Sequence, residues 1–146
     1  SGKFVVAYRD NGNSGYGTAI VGTISGTAVS FGSESVFNSA ATTSISVSFD
    51  PNTAGKFVVV YQDDGNSSYG TAIAGTVSGT NISFGSESVY NSGSSPYNSI
   101  SFDPNTAGKF VVAFQDEYQP HLTLIQQVSS LLRTWTMVIV MRVQQL

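Results

Sequence analysis

The sequence predicts an all-β protein made of tandem four-stranded antiparallel sheets, and three observations predict it. The first is a repeat. Gly2–Ala54 and Gly55–Ala107 are consecutive copies with a 53-residue period, different at 16 positions and identical at the other 37, and GKFVV opens a third copy at Gly108. The second is composition. Charged residues are 10% of the chain, against about 25% in an average soluble domain, and Gly, Ser, Thr and Asn stand in their place. The third is periodicity: short apolar or alternating runs are separated by Gly, Asn and Asp clusters, the pattern of strands and turns.

Each element of the repeat follows from its own residues. Phe4-Val5-Val6-Ala7-Tyr8 is a continuous apolar run, as expected of a strand covered on both faces. Asp10–Gly15 is turn chemistry, because Asn, Asp and Gly tolerate positive φ and cap their own backbone. Tyr16–Ile24 alternates strand formers with small residues, and Gly22 leaves room for a close neighbour. Ser25-Gly26-Thr27 makes the next tight turn. Val29, Phe31, Ser33, Ser35 and Phe37 share one parity, so Val29–Phe37 is expected as a third strand with one apolar face. Ile45, Val47 and Phe49 alternate with serines in a fourth, half-buried strand. Asp50–Lys56 then forms a hairpin loop back to Phe57, with Pro51 presetting φ and Gly55 completing the turn.

Four strands in about 50 residues, repeated in tandem, suit a β-propeller-like blade in an incomplete array. The alternatives are a pair of packed β-sheets or a β-solenoid. One such sheet cannot bury both faces alone, so its expected partners are neighbouring repeats or other copies in a homo-oligomer. The expected organisation is repeat 1 over 1–54, repeat 2 over 55–107 and the start of repeat 3 over 108–116.

Residues 117–146 break the pattern. They contain none of the 15 glycines, yet carry the only Trp, both Met and the only His. A shift of reading frame accounts for them. One choice of synonymous codons, TCA TTT GAC CCT AAT ACA GCA GGT AAG TTC, encodes SFDPNTAGKF. Read from their second base they give HLTLIQQVS, the residues His121 to Ser129. The shifted reading of a near copy continues through Leu146. The segment also enters out of phase: Asp116 matches Asp63, whereas Glu117 matches Ser44. The tail is therefore expected to be an out-of-frame repeat, unselected for packing. Source DNA read one base earlier should return SFDPNTAGKF; unrelated residues or stops there would refute this.

The segments YRDNGNSGYGTAIVGTISGTAVSFGS and YQDDGNSSYGTAIAGTVSGTNISFGS resemble the tandem repeats of structural or tail-associated proteins of marine bacteriophages. The resemblance covers residues 1–116 and implies a β-repeat protein of a virion or cell surface. A weaker similarity concerns Asp10, Gly12, Ser14 and Tyr16, with Asp63, Gly65, Ser67 and Tyr69. It is similar to the Asp-box of sialidase-type propellers, with the aromatic one residue late. That similarity implies a structural turn.

Candidate chemistry is sparse. Paired carboxylates for hydrolysis would come from Asp10, Glu34 and Asp50 and their copies Asp63, Glu87 and Asp103. They recur with the scaffold, as turn and edge positions do, so no enzyme is expected. The DxGxS turn and Asp63-Asp64 offer oxygen ligands but lack the spacing and bidentate Glu of a calcium loop. No metal or cofactor is expected for the repeats. The lone His121 lies in the shifted frame, which leaves a nucleophilic triad unsupported. A net charge of −3 with scattered Lys and Arg gives nucleic acid no basic stripe, and no apolar run within the repeats is long enough to span a membrane. Cys is absent, which excludes disulfides and thiolate metal sites. Surface recognition remains. Tyr16 and Tyr69, with Asn13 and Asn66, recur at one loop per repeat and suit weak multivalent contact with cell-surface glycans. The alternatives are a passive spacer of a virion fibre, with the tyrosines packing between repeats, and a glycosidase-like propeller enzyme.

Overall fold

The computed structural model describes residues 2–116; Ser1 and residues 117–146, on which the out-of-frame reading rests, lie outside the described residues. Strand β1 (Gly2–Asp10) and β2 (Tyr16–Ser25) form a hairpin in register from Gly2↔Ile24 to Asp10↔Tyr16. β3 (Ala28–Phe31) returns along the second half of β2, and β4 (Ser35–Phe49) pairs first with β2 and then with β5 (Lys56–Asp63). β6 (Tyr69–Ser78) and β7 (Asn81–Ser94) complete the second copy's meander, and β8 (Ser99–Phe102) pairs with β9 (Phe110–Ala113). Every pairing is antiparallel, so the all-β architecture expected from the sequence is observed. Among the described residues, the longest helical pieces are the single 3₁₀ turns Asn11–Asn13 and Asp64–Asn66, at the loops read as plain turns.

The sheets are offset from the sequence copies. The complete four-stranded sheet consists of Thr42–Phe49 of β4 with β5, β6 and β7, so it joins the last strand of copy 1 to the first three of copy 2. The Asp50–Gly55 loop enforces this. Asp50 N–H donates to Lys56 O at 2.9 Å, Lys56 N–H donates to Thr53 O at 3.1 Å, and Gly55 takes φ +74°. A loop that tight forces its flanking strands to pair. Before this central sheet stands a first sheet of β1, β2, β3 and the start of β4; after it stands the β8–β9 pair.

One expected element is corrected. Val29–Phe37 is not one strand with a single apolar face. Phe31 pairs with Gly22 and Ser35 with Ala19, so four residues of one chain oppose three of the other across Gly32–Glu34. The extra residue is a bulge, and a shift of one residue flips every later side chain. Phe31 therefore shares a face with Phe4, whereas Phe37 packs on the opposite face with Val5 and Ala19.

Stacking of the sheets builds the core. We call the face carrying Phe4, Val6 and Tyr8, or their equivalents, the front, and the opposite face the rear. Val5, Ala19 and Phe37 on the rear of the first sheet cover Phe57, Val59 and Tyr61 on the front of the central sheet. Val58 and Val60 on the central sheet's rear meet Ile100, Phe110, Val112 and Phe114. Both faces of β5 are thus buried, as its unbroken apolar run requires; each buried Val side chain contributes about 1.5–3 kcal/mol. The interface geometry repeats. Phe37 lies 5.1 Å from Tyr61, and their counterparts Tyr90 and Phe114 lie 5.2 Å apart. Phe37 sits over Gly17 and Tyr90 over Gly70, where any Cβ would collide with the ring.

Candidate functional site

The Asp-Gly-Ser-Tyr turns lie together at one end of the stack. In the first, the Asp10 carboxylate accepts from Gly12 N–H at 2.9 Å and from Asn13 N–H at 3.2 Å, capping the 3₁₀ turn. Ser14 and Gly15 then take left-handed φ values of 57° and 76°, which reverse the chain into Tyr16, opposite Asp10. The second turn repeats this. Asp63 accepts from Gly65 N–H at 3.0 Å, and Ser67 and Ser68 hold the left-handed positions. Ser68 Oγ donates to Asp64 Oδ1 at 3.2 Å, a contact open to Ser but not to Gly15 in the first copy. Asn13 and Asn66 are exposed, while Tyr16 and Tyr69 are half-buried. The turns are joined through β4: Thr42 N–H donates to Gly15 O at 3.0 Å, and Thr43 Oγ1 donates to the Asp64 carboxylate.

Tyr97, which sequence reasoning missed, stands at the same end. It is 75% exposed and holds φ +58°, costly for a bulky residue. Its backbone is pinned: Tyr97 N–H donates to Ser44 Oγ at 3.2 Å, and Asn98 Nδ2 donates to Ser44 O at 3.0 Å. Asn98 Oδ1 in turn accepts from Tyr90 Oη at 2.7 Å. Burial pushes the Tyr90 hydroxyl pKa upward, keeping that donor protonated. A signal was available in the sequence. All six residues from Gly93 to Asn98 differ from their counterparts Ala40 to Ile45, the densest departure from the repeat.

The candidate carboxylates are spread over separate structural tasks. Asp10 and Asp63 cap turns. Glu34 accepts from Tyr8 Oη at 2.5 Å and Glu87 from Tyr61 Oη at 2.7 Å. The Glu34 hydrogen bond, with smaller help from burial, pushes Tyr8 up to about 12; burial first and Glu87 second push Tyr61 up further. Both phenols stay donors. Asp50 and Asp103 organise the hairpin loops: Asp50 accepts from Asn52 N–H and Gly108 N–H, and Asp103 from Asn105 N–H. Burial alone would raise the Asp50 pKa, but the Asn52, Thr53 and Gly108 donors outweigh it and hold it below the ordinary carboxylate value. Asp103 is held down by Asn105 and Thr106. Among the described residues, no three His, Cys, Asp or Glu side chains gather as metal ligands. His121 lies outside the described residues.

Comparison with protein-family models, with curated proteins and with solved structures returns no match to this chain.

Proposed function

We propose that this is a non-catalytic repeat module of a virion or extracellular surface protein, and that its turn-bearing end recognises glycans. The observation that carries the reading is the grouping at one end of two equivalent turns, with Asn13, Tyr16, Asn66 and Tyr69, beside the exposed Tyr97. Aromatic faces stack on the apolar faces of sugar rings, and exposed amides pair with hydroxyls. Weak sites repeated at fixed spacing gain avidity. The phage-repeat resemblance supports a surface location, and the carboxylates' capping and Tyr-binding roles favour binding over catalysis. A β-propeller-like array extends the same stacking to more repeats. The reading is tested by presenting the full chain to an array of bacterial surface polysaccharides. Retention of one glycan class, weakened by Tyr97→Ala and abolished by combined Tyr16→Ala and Tyr69→Ala, is expected. Retention indifferent to these changes would refute it.

A passive spacer of a virion fibre is the second reading. The half-burial of Tyr16 and Tyr69 favours it, because those rings then serve packing. It forecasts no glycan retention and a loss of stability in the Tyr16→Ala and Tyr69→Ala variants.

A further inference from the structure

We infer that the front of the first sheet is an acceptor for one more repeat of this same sequence, in a fixed head-to-tail orientation. The inference stands apart from the glycan reading and rests on the internal interface. In the central sheet, Val59 is 0% exposed and Phe57 is 1% exposed, because the rear of the first sheet covers them. Among the described residues, none gives their equivalents in the first sheet such cover. Val6 is 38% exposed, and Ile24, Val29 and Phe31, whose counterparts Val77, Ile82 and Phe84 pack into the core, are exposed with it. The register puts them on one face: Phe4 and Phe31 both pair with Gly22, Ile24 pairs with Val29, and Val6 with Ile20. Phe4 and Phe31 already stand edge to face at 6.1 Å, as Phe57 and Phe84 do at 5.9 Å in the buried copy.

The strand edge points to the same occupant independently. β5 pairs with β6 on one side and with Thr42–Phe49 of the preceding copy on the other. β1 pairs with β2, and its other edge is free of strand partners among the described residues. An unpaired edge is a template for another strand. A preceding repeat would meet both needs at once. Its ISVSF strand would extend β1, and its Val5-Ala19-Phe37 face would cover Val6 and Phe31. Front meets rear, so the contact is heterologous, and it propagates into a ring or a filament.

The test adds one copy of residues 2–54 directly before Gly2 of the full chain and compares the extended and parent proteins. In the extended protein, β1 amides facing away from β2 should exchange at least about 100-fold more slowly than in the parent. Val6→Asp should return the extended protein to the parental exchange rates and leave the parent's urea midpoint nearly unchanged. Val36→Asp is the control. Val36 is exposed on the same face, but its counterpart Val89 stays exposed at 46% despite the interface, so this change should matter in neither protein. Unchanged β1 exchange in the extended protein would overturn the inference. So would a parent dimer abolished by Val6→Asp but not by Val111→Asp on the outward rear of β9, since that pairing is front to front.

Discussion

Identical residues in the two copies face different demands, and this makes single glycines informative. A Cβ on Gly75 would fall 2.2 Å from the ring of Phe57, which is buried between Phe49 and Phe84 and has nowhere to go. A Cβ on Gly22 would fall 2.1 Å from Phe4, but that ring is only half-buried and can swing outward. Gly75→Ala should therefore cost about 2–3 kcal/mol and Gly22→Ala under about 1 kcal/mol, measured by urea unfolding. Equal costs would mean that the two faces are equally covered. The loop aspartates give a pH signature. Asp50 and Asp103 are held below their ordinary value of 3.8, so the unfolded chain binds their protons first. Their stabilisation is complete above about pH 4 and is lost as pH falls through the lower folded values. The urea midpoint should drop across that window. Asp50→Asn should lower the midpoint at pH 7 and flatten the acid drop.

At the scale of elements, the strands were legible because pattern and burial agree there. The unbroken FVVVY run requires two covered faces, and β5 has them. The Asp-Pro-Asn-Thr-Ala-Gly loop announced a hairpin, and it sets the offset between sheets and sequence copies. Period-2 reading failed at Gly32–Glu34, because a bulge leaves no mark on parity. The Ser-Glu-Ser stretch reads the same whether or not the chain slips by a residue. Tyr97 was lost for another reason: repeat averaging draws attention to what recurs, and Tyr97 stands where Ser44 stands in the first copy. Asn13 and Asn66 end the two 3₁₀ turns and Tyr16 and Tyr69 open β2 and β6, a placement local turn chemistry carries, but half-burial of the two tyrosines is a tertiary property. Element burial also gives a paired test. Val59→Ala should cost about 2 kcal/mol and Val6→Ala less than about 0.5 kcal/mol, because only Val59 loses buried contacts. The check is chemical unfolding of both variants in the full chain.

At the scale of the whole molecule, the sheets stack front on rear, and among the described residues both core clusters draw on two adjacent sheets. Stability in such an arrangement is carried by nearest-neighbour interfaces. The central sheet, covered on both faces, should be the last to open, and amide exchange should be slowest in β5 and β6 and faster in β8 and β9. The geometry of the turn-bearing end depends on the same stacking, since Ser44 of one copy holds the backbone of Tyr97 in the next. The central claim is that equivalent interfaces join first sheet to second and second to third. Its most direct measurement is a nuclear Overhauser spectrum of the full chain with labelled aromatic rings. The account predicts cross-peaks between Phe37 and Tyr61 and between Tyr90 and Phe114, at ring separations of 5.1 and 5.2 Å. Cross-peaks confined to pairs within one sheet, with both inter-sheet pairs silent, would contradict it.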